Sequence, residues 1–208
     1  MLIFIKNVQY NTVMTLLKTK TKLIDVARKL FAKKGFDDTT MNDIAVASKV
    51  GRRTLYTYFK SKEEIYSVVI ETELNRLTES MMKIVQKPIA PDLKILELIE
   101  NHLEAVKAAV FRNGTLRADF FRDIWRVETV RKEFDRKQIS LYRTILSEGQ
   151  EKGIFTIENL NLAADILYYC VKGIEVPYIR GQVLDENGQR ADKTYIAKII
   201  NGALGKKG

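Results

Sequence analysis

The 208-residue sequence is poor in the residues that build metal sites, disulfides and many catalytic sites. It has one cysteine, one histidine and three prolines. One histidine excludes a two-histidine metal motif, and one cysteine, Cys170, excludes an internal disulfide and fits a reducing cytoplasm. The sequence has no Gly-x-Ser-x-Gly motif and no Gly-rich phosphate loop. Paired carboxylates for acid–base chemistry stay open, but none stands out, so we expect no metal, no cofactor and no enzyme activity.

Long apolar runs are also absent. No stretch approaches the roughly 18 apolar residues of a membrane span, so we expect no membrane partner. The apolar start of the chain is too short for a signal peptide and has neither a basic lead nor a small-residue cleavage site. We therefore expect a cytoplasmic, nucleoid-associated protein. Residues 1–20 are interpreted as an N-terminal extension, either a frayed helix or an arm, with Met14 as an alternative start.

Acidic residues are scarce in the first third of the chain. The net charge is +9, with a pI of about 9.5. Residues 1–66 carry 13 Lys and Arg against 6 Asp and Glu, whereas residues 67–208 carry 22 against 20. This concentration of positive charge predicts where a polyanion docks, although membrane surfaces and DNA are both polyanions. The basic run at 18–22 fits a phosphate-binding arm and a solvated lead-in equally well.

The most informative segment is TTMNDIAVASKVGRRTLYTYFKSK, at residues 39–62. Thr40 followed by Asp43 predicts a helix start, and residues 49–51 predict a turn. The helical period then restarts at residues 52–59. Ser-x-x-Glu at residues 61–64 is a capping box that predicts the start of a long helix. Two short helices joined by a tight turn that contains glycine are typical of a helix-turn-helix motif.

The side chains of the second short helix suit a DNA major groove. Leu55 and Phe59 share one face, and the opposite face consists of Arg52, Arg53, Thr54, Tyr56, Thr57 and Tyr58. Arginine matches the guanine edge in the major groove, and hydroxyl groups reach phosphate oxygens. The alternative is a solvated basic face on an ordinary helical domain. The turn spacing, the two helix caps and the tyrosines beside two arginines favour DNA binding.

Residues 21–70 resemble the TetR family of bacterial transcription regulators. The matching segments are LIDVARKLFAKKGF (23–36), TTMNDIA (39–45) and RTLYTYFKSKEEIY (53–66). The resemblance implies an all-α fold. Residues 21–66 would form an N-terminal three-helix helix-turn-helix DNA-binding domain, and residues 67–208 would form a helical ligand-sensing and dimerisation domain.

The resemblance also implies which residues meet DNA. The family's contacts map onto Thr40, Arg52, Arg53, Thr54, Tyr56 and Tyr58, and Lys62 matches a position that commonly meets a phosphate. Two residues depart from the family pattern. Lys49 replaces a glycine, which predicts a left-handed backbone at a cost of roughly 1 kcal/mol. Gly51 replaces a serine or threonine, which removes a side-chain cap and one hydroxyl that could reach a phosphate.

Helical spacing continues through the rest of the sequence. Gly35 is predicted to end the first helix, which would cover residues 23–34. Later helices are predicted at residues 63–86, 92–111, 115–125, 127–152, 158–179 and 191–204. The segment GQVLDENGQR is predicted to be a loop.

The last two predicted helices are dimerisation candidates, since the resembled family forms a four-helix bundle there across a two-fold axis. Their apolar residues are Leu160, Ala163, Ala164, Leu167, Tyr168, Val171 and Ile174, then Tyr195, Ile196, Ile199, Ile200 and Ala203. The alternative is intramolecular core packing. Cys170 is expected to be a small buried residue, with a redox sensor as the alternative.

The resemblance further implies a small-molecule effector that binds among the middle helices. Because aromatic side chains dominate such sites, the candidate lining residues are His102, Phe120, Phe121, Trp125, Tyr142 and Tyr169. Each of them also fits plain core packing. Asp119 and Asp123 could meet a cationic ligand or pair with Arg122 and Arg126 on the surface.

Three hypotheses follow for the function. The first is a transcription regulator, most often a repressor in the resembled family, released from a palindromic operator by a small-molecule ligand. The second is a DNA-bound structural or interaction protein of the nucleoid-occlusion type, with the same DNA-binding head and no ligand. The third is a helical enzyme or binding module whose basic head is incidental.

Overall fold

The computed structural model describes residues 2–112, 128–183 and 193–205. Over these ranges it contains eight α-helices and no strand. The helices are α1 (Leu2–Lys34), α2 (Met41–Ser48), α3 (Arg52–Tyr58), α4 (Lys62–Val85), α5 (Pro91–Arg112), α6 (Glu128–Glu151), α7 (Leu160–Ile179) and α8 (Lys193–Ala203). The all-α prediction is confirmed. The helix predicted at residues 115–125, and most of the loop that follows α7, lie outside the described residues.

The first helix is much longer than predicted. It was placed at residues 23–34, with residues 1–20 as an extension, but α1 is a single helix of 33 residues that begins at Leu2. The physical reason is that no glycine or proline precedes Gly35, so nothing in this stretch breaks a helix. The backbone of Gly35 then has a φ of 91°, which ends α1 as predicted.

The chain forms two compact units. The first contains residues 2–73, with Phe111 and Arg112 from the end of α5. Its core joins α1, α2, α3 and the start of α4 through Leu23, Ala27, Phe31, Ile44, Leu55, Phe59, Ile65 and Ile70. Leu55 and Phe59 are almost completely buried, so α3 turns its apolar face inward and leaves its polar face outside. The predicted domain boundary after residue 66 stays a prediction.

The second unit contains residues 74–110, 128–183 and 193–205. Helices α6 and α7 pack against each other, and one apolar cluster joins side chains of the second half of α4 and of α5 to α8. Where the structure describes the chain, none of the helices is long and apolar enough to cross a membrane. Over the same residues, no three potential metal ligands lie close enough together to hold an ion.

Candidate DNA interface and effector core

The start of α2 is built by a reciprocal pair of hydrogen bonds. The backbone N–H of Thr40 donates to Asp43 Oδ2 at 2.9 Å, and the backbone N–H of Asp43 donates to Thr40 Oγ1 at 3.1 Å. The backbone hydrogen bond from Thr40 lowers the pKa of Asp43, and the Thr40 hydroxyl and Lys34 lower it further. Because Thr40 is exposed at the first turn of α2, its position suits contact with an anion.

The turn between α2 and α3 has the backbone that the sequence predicts. Lys49 has φ 54° and ψ 37°, in the left-handed region. The N–H of Val50 donates to Ala45 O, and the N–H of Lys49 donates to Val46 O, both at 3.1 Å. This pair of bonds is a Schellman motif, which satisfies the last carbonyls of α2. Gly51 then begins α3 without a side-chain cap.

The recognition helix α3 has seven residues. Arg52, Arg53, Thr54 and Tyr56 are exposed on it, whereas Tyr58 is half-buried. Two arginine guanidinium groups and two hydroxyl groups are thus exposed to solvent on one short helix. Such a set can read guanine edges and bind phosphate oxygens.

Four of the seven predicted DNA-binding residues line one surface groove. They are Thr40, Arg52, Tyr56 and Lys62, and the groove connects the first turns of α2, α3 and α4. Arg53, Thr54 and Tyr58 lie on α3 outside this groove. The groove also contains two residues that the sequence prediction missed, Asn42 and Lys60. The signal for Asn42 was its place in the first turn of α2, two residues after the cap.

Lys62 has a structural role that spacing along the sequence does not predict. Its Nζ atom donates to Phe36 O at 2.8 Å and to Asp37 O at 3.1 Å, and it lies 4.4 Å from the centroid of the Phe36 ring. These contacts attach the start of α4 to the loop between α1 and α2. One N–H of the ammonium group is left for a phosphate, and that phosphate contact stays a prediction.

The predicted capping box at α4 is formed in a different way. The backbone N–H of Glu64 donates to Ser61 Oγ at 3.3 Å, as the pattern requires. The carboxylate of Glu64, however, accepts from the backbone N–H of Lys60 at 2.6 Å. The box therefore closes one residue earlier than predicted and also orders Lys60, two residues after the end of α3.

The family model for bacterial regulatory proteins of the tetR family matches residues 23–69. This range contains every residue of the groove and all of α2 and α3. Residues 23–69 therefore belong to the TetR family. The chain's relatives include QacR of Staphylococcus aureus, an HTH-type transcriptional regulator that is 25% identical over 88% of this chain and 97% of its own. KstR2 of Mycolicibacterium smegmatis, an HTH-type transcriptional repressor, is 25% identical over 91% of this chain and 92% of its own.

The likeness to TetR-family proteins extends to solved structures. FadR from Bacillus subtilis, solved in complex with stearoyl-CoA, superimposes with a TM-score of 0.62 at 18% identity. The match covers 88% of this chain and 96% of FadR. The fold is therefore shared along most of the chain and not in the DNA-binding head alone.

The second unit of the chain has a buried polar cluster that contains two of the residues predicted for the effector pocket. His102 Nε2 lies 2.7 Å from Glu175 Oε1, and Tyr142 is completely buried. Both rings meet Tyr168 edge to face, with centroids 6.4 Å and 6.2 Å away. Burial raises the pKa of Tyr142, so its hydroxyl stays protonated. The structure thus brings His102 and Tyr142 to the same aromatic side chain.

The other predicted pocket residues are not part of this cluster. Phe120, Phe121 and Trp125 lie outside the described residues. Tyr169 is 56% exposed, although its ring centroid lies 5.3 Å from that of Tyr168. This exposure in the monomer does not support a place in an internal pocket. The aspartates and arginines predicted at residues 119–126 also lie outside the described residues.

An ion-paired carboxylate lies beside the same tyrosine. Tyr168 Oη donates to Asp135 Oδ1 at 2.6 Å, and Lys172 Nζ donates to the same oxygen at 2.8 Å. Arg131 lies 3.5 Å from Asp135 Oδ2. Burial is the main cause that raises the pKa of Tyr168, and the neighbouring carboxylate adds to it. The Asp135 carboxylate is therefore paired with two cations inside the unit.

Helix α7 corrects the predicted dimerisation surface. Most of the predicted stripe packs inside the monomer, since Ala164, Tyr168 and Val171 are buried and Leu160, Ala163 and Leu167 pack against the core. Ile174 of the predicted stripe is exposed, together with four residues outside that stripe: Leu162, Ile166, Tyr169 and Cys170. Cys170 was expected to be buried, but in the monomer it is exposed. On α8, Ile200 is buried and Ile199 is exposed, and Tyr195 and Ile196 lie outside the described side chains.

Proposed function

We propose that this TetR-family regulator is a repressor that binds an inverted-repeat operator as a homodimer and leaves it when a small molecule binds. The observation that carries the proposal is α3, which exposes Arg52, Arg53, Thr54 and Tyr56 on a helix whose apolar face is anchored by Leu55. Side chains presented in this way have no use in a protein core and match the groups of a major groove.

Two copies are needed because α3 is short. A helix of seven residues is about 10 Å long and reads only a few base pairs. A two-fold dimer places two such helices about 34–36 Å apart, one turn of DNA. The exposed face of α7, with Leu162, Ile166 and Ile174, supports this part of the proposal. Monomeric proteins rarely expose several large apolar side chains side by side.

Repression and ligand release rest on the relatives and on the buried polar cluster. KstR2 is a repressor and FadR was solved with stearoyl-CoA, so the chain is similar both to a repressor and to a regulator that binds a small molecule. Physically, the ligand must bind better to the form of the dimer whose heads do not fit the operator. We propose that the chain acts at the nucleoid in the cytoplasm and by binding alone, not by catalysis.

The proposal is tested with the duplex upstream of the gene that encodes this chain. Fluorescence anisotropy should give saturable binding of two subunits per duplex, and light scattering should give a dimer without DNA. Footprinting should protect an inverted repeat. Binding to many dispersed genomic sites would favour the nucleoid-occlusion type of protein instead. No binding to any duplex at modest salt would contradict both functions.

A further inference from the structure

Three completely buried side chains of the second unit each have one polar atom without a hydrogen-bond partner. The atoms are His102 Nδ1, Gln138 Oε1 and Tyr142 Oη. Gln138 and Tyr142 are one turn apart on α6, and the rings of His102 and Tyr142 both meet Tyr168. The three side chains are thus linked to one another through Tyr142 and Tyr168.

Buried polar atoms without partners are rare because each loses its hydrogen bonds to water and gains none from the protein. The surrounding side chains of this unit are mostly apolar, among them Leu98, Ile99 and Leu103 from α5 and Ile145 from α6. Three unpartnered atoms in such a core weaken the protein alone. A bound molecule that supplied the missing partners would remove that cost, which is a direct source of binding energy.

The chemistry of the three atoms selects the partner. In the tautomer whose Nε2–H donates to Glu175 Oε1, Nδ1 of His102 is an acceptor. Gln138 Nε2 donates to Thr78 Oγ1 at 3.0 Å, so its Oε1 is an acceptor as well. The Tyr142 hydroxyl both donates and accepts. Hydroxyl groups on a ligand can satisfy all three, because they donate and accept at one atom.

The charges of the cluster select against a charged ligand. Asp135 contacts both Arg131 and Lys172, and Glu175 contacts His102. Each of these carboxylates thus already has a basic partner, so an added charge would find no counter-charge in a buried site. The neighbouring rings of His102, Tyr142 and Tyr168 present edges and faces that suit another aromatic ring.

We propose that His102, Gln138 and Tyr142 bind the effector, and that the effector is a neutral aromatic compound with hydroxyl groups. This inference rests on the proposed ligand-released repressor and specifies its ligand class. The tyrosine hydroxyl and the two acceptors take the hydroxyl groups, and Tyr168 packs against the ring.

The first test compares two probes of equal ring size in calorimetric titrations of the full chain. Catechol carries two hydroxyl groups, and 1,2-dimethoxybenzene carries the same oxygens without their hydrogens. Catechol should bind saturably and at least about tenfold more tightly, because only it can donate to His102 and Gln138. Equal binding of both probes, or binding of neither, would overturn the proposal.

The second test uses Tyr142→Phe, which removes the unpartnered hydroxyl and little else. The melting temperature without probe should rise, and catechol affinity should fall roughly five- to tenfold. A hydroxyl with a purely structural role would give the opposite change in melting temperature and no change in affinity. Tyr169→Phe, which removes an exposed hydroxyl from the next residue of the aromatic cluster on α7, is the matched control and should change neither quantity.

Operator binding without probe separates this inference from the proposed function. If the wild-type chain binds its operator but catechol does not bind the chain, the ligand class is wrong and the regulator stands. If catechol binds and no duplex does, the DNA-binding function is wrong and the site stands. Release of the operator by catechol, and its loss in Tyr142→Phe, would support both.

Discussion

Lys62 and Phe36 are joined twice: the lysine ammonium donates to the phenylalanine carbonyl at 2.8 Å and lies 4.4 Å from the centroid of its ring. The two residues are 26 positions apart. Through this contact, the first turn of α4 holds the loop that leads into α2. A residue that the family resemblance assigns to DNA therefore also maintains the shape of the DNA-binding head.

Lys62→Met should lower the free energy of unfolding by about 1–2 kcal/mol, because it keeps the alkyl stem but removes two hydrogen bonds and the cation–π contact. Urea denaturation measures this change. If the third N–H meets a phosphate, the salt dependence of DNA binding should also flatten by about one unit. Lys60→Met, in the same groove, is the stability control. A wild-type unfolding free energy for Lys62→Met would remove the structural role.

Arg52→Ala and Arg53→Ala should each cost about 1–3 kcal/mol of operator binding and relax the base preference at one position, if the arginine is bidentate to guanine. Both side chains are exposed, so the free energy of unfolding should stay close to wild type. Anisotropy with a set of single-base operator variants measures the discrimination. Lys83→Ala, exposed on α4, is the control for loss of charge. Wild-type discrimination in both variants would exclude these arginines from base readout.

The sequence predicted the local structure of the head because its determinants are local. Thr40 with Asp43, the left-handed Lys49 and the buried pair Leu55 and Phe59 each follow from residues within a few positions of one another. The double contact of Lys62 escaped prediction because its carbonyl partners come from a distant loop. No spacing rule gives such a pair.

The same limit explains the error on α7. That helix is apolar on more than one side, so periodicity identifies several stripes and cannot rank them. Val171 and Cys170 are neighbours, yet one is buried and the other exposed. The face of α7 that packs against α6 becomes the core, and the position of α6 does not follow from the sequence of α7. The unpartnered atoms of Gln138 and Tyr142 were unpredictable for the same reason, since a polar residue on a helix gives no sign of its partner.

Asp43→Asn should make the stability of the head less dependent on acid pH. Because the pKa of Asp43 in the folded chain is below its ordinary value of 3.8, its charge stabilises the fold above that value, and this contribution is lost as pH falls through the folded pKa. The variant should therefore be less stable than wild type at neutral pH, and the difference should shrink in acid. Urea midpoints between pH 2 and 7 (about this range) measure it, with the exposed Asp38→Asn as control. A difference that stays constant with pH would contradict the assignment.

Gly149→Ala should destabilise the second unit by about 1–3 kcal/mol through overpacking. A Cβ at this position would lie 2.2 Å from Phe155 Cδ2, and the Phe155 ring is buried. Gly202→Ala, in α8 with no atom within 4 Å of the added carbon, should instead stabilise by about 0.5–1 kcal/mol. Thermal unfolding compares the two variants. A wild-type melting temperature for Gly149→Ala would mean that the Phe155 ring moves aside at no cost.

Ile166→Glu should separate the proposed dimer. Ile166 is 54% exposed in the monomer, and a buried carboxylate without a partner is costly at an interface. Light scattering should then give a single subunit, and operator affinity should fall by at least about tenfold. Leu93→Glu, at an equally exposed position on α5, is the matched control.

The rate at which the Cys170 thiol is labelled measures independently whether the exposed face of α7 is covered in the dimer. Cys170 carries the single thiol in the sequence and lies one turn from Ile166. If the α7 face is covered in the dimer, maleimide should label wild type slowly and Ile166→Glu rapidly. Rapid labelling of a wild-type dimer would place the interface elsewhere.

Helix α1 is one continuous helix from Leu2 to Lys34. An unbroken helix of 33 residues is about 50 Å long, and helices without glycine or proline bend only gently. Its second half carries Leu23, Ala27 and Phe31, which anchor the core around α2 and α3. A partner bound to the first turns of α1 would therefore be held by the same rigid helix that anchors α2 and α3.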